Sequence, residues 1–394
     1  MDPRKNPYAP GAGTLPPALA GRDDIIEKIN IQLDRCATGI SARSFLIVGL
    51  RGVGKTVLLN HIATNADARN FAVVSIETPE KRSLPALIIP SLRSALIRLS
   101  RRASLGAATK RAMKALGSFV GAMKVKYEDV EFGFDLGHEV GLADSGDLEN
   151  DLIELFCELG KAAKENGTAL VLFIDEIQYI KEEEFAALIM ALHKCTQLQL
   201  PVAIIGAGLP QLVAQAGNAK SYAERLFEYP EIGPLLEIAS KKALEEPAAK
   251  QDVRYTTEAL NEIYKQTQGY PYFLQEWGKH SWQCADHSPI TIEDVKLATE
   301  SAIAELDSSF FRVRLDRLTP SEKRYLRAMA ELGSGPHRSG DIANLLHKEV
   351  QAVAPTRSQL ISKGMIYSPH HGDNSFTVPL FNEYMKRAIP EFSN

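Results

Sequence analysis

The stretch Gly49-Leu50-Arg51-Gly52-Val53-Gly54-Lys55-Thr56 constrains this chain more than any other. It follows the apolar run Phe45-Leu46-Ile47-Val48 and opens a helical pattern through Val57, Leu58, Leu59 and Ile62. A strand, a turn and a helix in that order, with the spacing G-x-x-x-x-G-K-[ST], describe a phosphate-binding loop. Glycines let the backbone curl so that successive N–H groups point inward at a polyphosphate, and the helix N-terminus behind them adds positive potential. The nucleotide-binding residues expected from this are Gly49, Arg51, Gly52, Val53, Gly54, Lys55, Thr56 and Val57. Lys55 would reach the terminal phosphates and the Thr56 hydroxyl would take one position on Mg²⁺. Gly49 and Gly54 are the positions where a Cβ is expected to block the turn or the ligand.

A second element answers the first. The run Ala169-Leu170-Val171-Leu172-Phe173-Ile174 shows no polar alternation and ends in Asp175-Glu176. Such a run is a central strand buried on both faces of a parallel sheet, and its carboxyl end is where ligands bind in such sheets. Asp175 is expected to hold Mg²⁺ together with Thr56, and Glu176 to orient or deprotonate a water.

The remaining strands are Phe71 to Ile76, Val202 to Gly206, and a short one near Glu231-Ile232-Gly233, alternating with helices. The fold class is therefore α/β with a doubly wound parallel sheet over about 21–236. Residues 1–20, rich in Pro and Gly, read as an extended arm. Arg22 with Asp23 and Asp24 then leads a helix, with one of the aspartates as its cap. That arm suits the wall of an adenine pocket, with Arg22 beside the nucleotide; a loose leader before a capped helix fits the same residues.

Between residues 100 and 146 lies a charged insertion. From Lys81 to Tyr127 there are eleven Lys and Arg and no acid, and from Glu128 to Glu158 eleven acids and no Lys or Arg. The alternation Met123, Val125, Tyr127, Val130, Phe132, Phe134 predicts a hairpin at the junction. Two readings of the charge stand side by side, a footprint for phosphates and a module that neutralises itself.

Beyond Pro234 the pattern is helical. Residues 237–314 form an α-helical lid, and 315–394 read as helix, helix, helix and a two-stranded wing, a winged helix. Its third helix would present Arg357, Gln359 and Lys363 to DNA, with His370 and His371 at the wing tip. Docking of a protein is the competing use of that face. The net charge of −4 gives no global pull toward nucleic acid. Four scattered cysteines form no metal framework, and no run of apolar residues is long enough to span a bilayer, so a cytoplasmic chain is expected.

Together, the phosphate loop, the Asp175-Glu176 strand end, an arginine before the fifth strand, the lid and the winged helix resemble the AAA+ ATPases. Similarity is strongest to the replication-initiator (origin-recognition) group and the neighbouring STAND ATPases, and to bacterial proteins described only as ATP-binding. The resemblance implies ATP and Mg²⁺ as ligands, ATP hydrolysis with Glu176 and Lys55 in catalytic roles, and a homo-oligomer. It makes Arg225 an arginine finger reaching a neighbouring subunit's γ-phosphate; the other reading of Arg225 is a salt bridge to Glu224 or Glu228. Two departures imply slow turnover. Gly206-Ala207-Gly208 supplies no polar side chain where a sensor is expected, and Gly269-Tyr270-Pro271 lacks a sensor arginine. The function expected is a slow ATP-driven switch acting on DNA, the rival a nucleotide-gated signalling or defence scaffold with a protein partner.

Overall fold

The computed structural model describes all residues except 12, 14, 15, 17, 80, 81, 103–105, 128, 130–136, 138, 371, 393 and 394. The chain divides into two compact units, Arg22–Gly49 with Lys55–Ile232, and Met1–Gly21 with Leu50–Gly54 and Gly233–Asn394. Among the described residues no helix is long and apolar enough to cross a membrane.

The first unit contains α1 (Asp23–Ala37), β1 (Ser44–Val48), α2 (Lys55–Ala68), β2 (Ala72–Glu77), α3 (Leu84–Arg102), α4 (Ala107–Lys126) and α5 (Leu148–Glu165). It continues with β3 (Leu170–Asp175), α6 (Glu182–Gln197), β4 (Val202–Gly208), α7 (Leu212–Ala219), α8 (Ala223–Leu226) and β5 (Phe227–Glu228). The five strands form one parallel sheet in the order β2-β3-β4-β1-β5. Every residue of β1, β3 and β4 is buried, as unbroken apolar runs require of strands covered on both faces. The registers Val48↔Gly208 and Ile174↔Gly206 bring the carboxyl ends of β1 and β3 to the same edge, with β4 between them.

Three details correct the sequence reading, and a fourth supports the self-neutralising reading of the charged insertion. Arg22 itself occupies the N-cap of α1, and Asp23 and Asp24 fall in its first turn. The fifth strand begins at Phe227 and breaks after Glu228, where Pro230 has no N–H to donate; the segment expected near Glu231 still joins the sheet, through the parallel bridge Val48↔Glu231. Met123 and Val125 belong to α4 rather than to a hairpin. The buried face Ala112, Ala115, Leu116, Phe119, Val120 and Met123 has helical period, and it overrides the local alternation. The rest of that expected hairpin, Val130, Phe132 and Phe134, lies outside the described residues. Finally, α4 packs along α5, where Arg111 meets Glu158 at 3.4 Å, and Lys114 meets Glu139 at 3.5 Å, so part of the basic block is answered by the acidic one.

The second unit contains α9 (Glu237–Ala249), α10 (Thr257–Thr267), α11 (Pro271–Cys284) and α12 (Ile292–Glu305). A π-helical turn (Leu306–Phe311) and α13 (Arg312–Asp316) follow. Then come α14 (Pro320–Leu332), β6 (His337–Arg338), α15 (Ser339–Leu345), α16 (Val350–Ser362), β7 (Ile366–Tyr367), β8 (Asp373–Phe376) and α17 (Phe381–Ala388). Thr319 caps α14 in a reciprocal box with Glu322, which fixes where the helix starts. The sheet at the place of the expected wing has three antiparallel strands in the order β6-β8-β7, one more than expected, because His337 and Arg338 pair with Asn374 and Asp373.

Phe311 stacks on Tyr384 at 5.1 Å, and Arg387 makes a two-pronged ion pair with Asp307, so α17 is fastened to the π-helical turn. The described part of the arm is also fixed. Tyr8 is buried, its hydroxyl donates to Leu244 O at 2.5 Å and receives the Tyr255 hydroxyl at 2.9 Å. Gly278 makes room for the Tyr8 ring; a Cβ there would lie 2.7 Å from Cδ1. The loose leader is thereby excluded for these residues: hydrophobic burial and two hydroxyl bonds hold the arm on the lid helices.

Candidate nucleotide site

The loop after β1 begins with the Gly49 N–H donating to Gly208 O at 3.2 Å, which ties it to the end of β4. The left-handed backbone falls at Gly52 (φ +83°) and Gly54 (φ +90°). Backbone conformation therefore calls for glycine at 52 as well as at 54. A Cβ on Gly54 would meet nothing within 4 Å, so the space in front of it is open to a ligand. Arg51 N–H donates to Thr377 O at 3.1 Å, and Gly52 O accepts from Tyr272 N at 3.3 Å. Val53 is buried, Arg51 and Val57 half-buried.

Lys55 is buried at the first position of α2, and its Nζ donates to Gly49 O at 3.0 Å, so the ammonium lies across the mouth of its own loop. The Thr56 hydroxyl donates to Asp175 Oδ2 at 2.6 Å. Hydroxyl and carboxylate therefore face each other where both would ligate one hard cation, an oxygen pair of the kind Mg²⁺ takes. Burial raises the Asp175 carboxyl above its ordinary pKa, against the lowering effect of Thr56. Arg22 is half-buried, and burial lowers its guanidinium pKa.

Glu176 sits in the left-handed region at φ 51°, ψ 36°, which turns the chain sharply at the end of β3 and aims its half-buried carboxylate along the sheet edge. Two residues that the sequence reading did not single out hold it there. The Thr78 hydroxyl, at the end of β2, bridges Asp175 O at 3.0 Å and Glu176 O at 2.6 Å. The Gln178 side-chain amide donates to Glu176 Oε2, while its carbonyl accepts the Leu209 N–H at 3.1 Å. Gln178 is buried beside Gly208, where a Cβ would come within 2.5 Å of its Oε1. Gly208 thus leaves room for the Gln178 side chain, which enters from the turn after β3 and has both its amide and its carbonyl engaged. A glutamine two residues after the acidic pair was the available signal.

Arg225 is exposed on α8, and among the described residues neither Glu224 nor Glu228 pairs with it; Glu228 is taken by Lys28 at 2.5 Å. The residues expected to face DNA behave differently from one another. Arg357 Nε donates to Asn374 Oδ1 at 2.6 Å and its Nη2 to Ser368 Oγ at 2.9 Å, which binds α16 to the wing. Lys363 Nζ lies 2.7 Å from the buried Glu322 carboxylate. Gln359 and His370 are exposed, and His371 lies outside the described residues.

Comparison with known proteins places this geometry. Residues 18–205 match the AAA ATPase domain family, and residues 308–385 match a domain of unknown function (DUF8462). The fold is similar to a Walker-type ATPase of Pyrococcus abyssi, 16% identical over 93% of this chain and 96% of that one, at a TM-score of 0.61. It is also similar to the ORC2 protein of Aeropyrum pernix, solved as ADPNP-ADP complexes, 14% identical over 97% and 98% of the two chains, with a TM-score of 0.52. An uncharacterized HTH-type transcriptional regulator of Methanocaldococcus jannaschii is 30% identical over 122 residues, 31% of this chain. The chain spans 29% of that relative's length.

Proposed function

Residues 18–205 are an AAA ATPase domain of the parallel, P-loop kind, and from that premise we propose that the chain is a slow Mg²⁺-dependent ATPase working as a switch. The observation that carries the proposal is the Thr56–Asp175 pair beside Glu176 at the carboxyl edge of the sheet. Thr56 and Asp175 would hold Mg²⁺, which supplies charge neutralisation between the phosphates. Lys55 and the N–H groups of the loop would bind the polyphosphate, and Glu176 would take a proton from the attacking water. Slow turnover fits the Gln178–Glu176 bond, which engages one of the two carboxylate oxygens of the proposed base. Arg225, exposed and unpaired among the described residues, fits a finger offered to a neighbouring copy in an oligomer.

For the output of the switch we favour DNA, bound by the winged helix. The three-helix and wing arrangement supports it, as does the name of the Methanocaldococcus relative. Arg357 and Lys363 are spent on bonds inside the domain, so the contacts would come from Gln359, His370 and the exposed Arg338 and Lys348. That same engagement supports the second reading, a nucleotide-gated scaffold whose winged helix binds protein. The salt dependence of duplex-DNA affinity separates them. Several phosphate contacts give a slope of roughly −0.9 per contact in log K against log salt. A flat slope, or no binding at low salt, would overturn the DNA reading and leave the protein-facing one.

A further inference from the structure

Far along the chain from the phosphate loop, α11 and α12 bring together three side chains with a different chemistry. Glu276 and His280 lie one turn apart on α11, hence on one face, and Glu305 is the last residue of α12. Glu276 and His280 are only 4% and 6% exposed. His280 Nε2 stands 3.0 Å from Glu305 Oε2 and 3.9 Å from Glu276 Oε2, and one donor atom from each residue falls within 4.8 Å of the others. A tetrahedral ion with bonds of 2.0–2.1 Å separates its ligands by about 3.3–3.4 Å, a spacing that these two distances bracket.

The surroundings leave these atoms available. The Tyr272 hydroxyl donates to Glu276 Oε1 at 3.1 Å, and Lys279 Nζ takes Glu305 Oε1 at 2.6 Å. Each carboxylate is thus oriented by one oxygen and presents the other inward, the arrangement in which outer-shell bonds set metal ligands. Among the described residues, Glu276 Oε2 and His280 Nε2, both buried, have no well-aligned hydrogen bond. Their close partners are ionic: Lys279 Nζ is 3.7 Å from Glu276 Oε2, and His280 Nε2 is 3.0 Å from Glu305 Oε2.

We propose that Glu276, His280 and Glu305 form a binding site for a divalent cation of the zinc class, clamping α11 to α12. The side chain of Glu305 is 43% exposed, which gives the ion a way in and leaves a coordination position for water.

The test titrates Co²⁺ into the full-length, nucleotide-free protein and follows its visible absorption, then repeats thermal melting with Zn²⁺. The expected result is one equivalent of Co²⁺, bands typical of low coordination number, displacement by Zn²⁺, and a Zn²⁺-dependent rise in melting temperature. H280Q and E305Q should each weaken uptake by more than about 10²-fold, since even outer-shell losses cost up to that much. The double variant T56A/D175N should leave it intact. No uptake, uptake unchanged in E305Q, or uptake lost only in T56A/D175N would overturn the proposal. Should H280Q fail to fold, the half-exposed E305Q decides.

Discussion

Thr56 and Asp175 stand 119 residues apart in the chain, and the hydroxyl of one donates to the carboxylate of the other at 2.6 Å. The bond joins the first turn of α2 to the last residue of β3, so the two halves of the proposed cation site are already aligned. Such alignment lowers the ordering cost of binding.

Removing either partner should separate binding of nucleotide from binding of metal. In T56A and D175N, ATP affinity measured with Mg²⁺ should fall about tenfold or more, and affinity measured in EDTA should change little. K55A should lose about 10²-fold under both conditions, as expected for a contact of about 3 kcal/mol to a charged group. Equal losses of T56A with and without Mg²⁺ would contradict the assigned roles.

The buried Asp175 gives a pH signature. Its pKa in the folded chain is raised by burial, so the residue favours folding most where it is protonated and loses that contribution as pH rises through the folded pKa. Nucleotide-free D175N should therefore melt a few degrees above the parent protein at pH 7, with the gap closing below about pH 4, the ordinary range of the unfolded carboxyl. A variant that melts lower at pH 7 would show that the Thr56 bond outweighs the desolvation.

Gln178 restrains Glu176, so Q178A should raise turnover several-fold while leaving ATP affinity unchanged. Steady-state hydrolysis beside equilibrium nucleotide binding checks both halves. A fall in turnover would mean that Gln178 holds Glu176 in its working position.

The close approach of Gln178 to Gly208 has a mechanical consequence. G208A places a methyl 2.5 Å from Gln178 Oε1 and 3.0 Å from Leu212 Cδ2, and should cost about 1–3 kcal/mol in urea unfolding. Q178S should recover part of that loss in the double variant, since the two sites share the same space. Strict additivity would contradict the contact.

The parts of the site legible in the sequence were those whose signal is contiguous. Gly49 to Thr56 and the run into Asp175-Glu176 carry strand, turn and chemistry in neighbouring residues, and both lie where expected. Thr78 was not legible, because its role depends on the parallel register Glu77↔Asp175; Gln178 stood two residues after the acidic pair, but its contact with Glu176 depends on the space over Gly208, which the sequence does not display. The helix-face argument that sent Arg357 outward could not include Asn374, whose side-chain oxygen draws it to the wing. Local alternation suggested strand at Met123 and Val125, whereas a longer helical face in α4 decided the matter. Where function hangs on pairs far apart in sequence, as with Glu276 and Glu305, the pattern has no local trace.

Single-turnover hydrolysis by the parent protein, K55A and E176Q decides whether Glu176 acts as the base of ATP hydrolysis. The expected result is slow Mg²⁺-dependent release of phosphate by the parent, none by K55A, and full ATP binding with a rate reduced by about 10²–10⁴-fold in E176Q. Hydrolysis that survives in both variants, or an absence of phosphate release by the parent while it binds Mg²⁺-ATP, would contradict it.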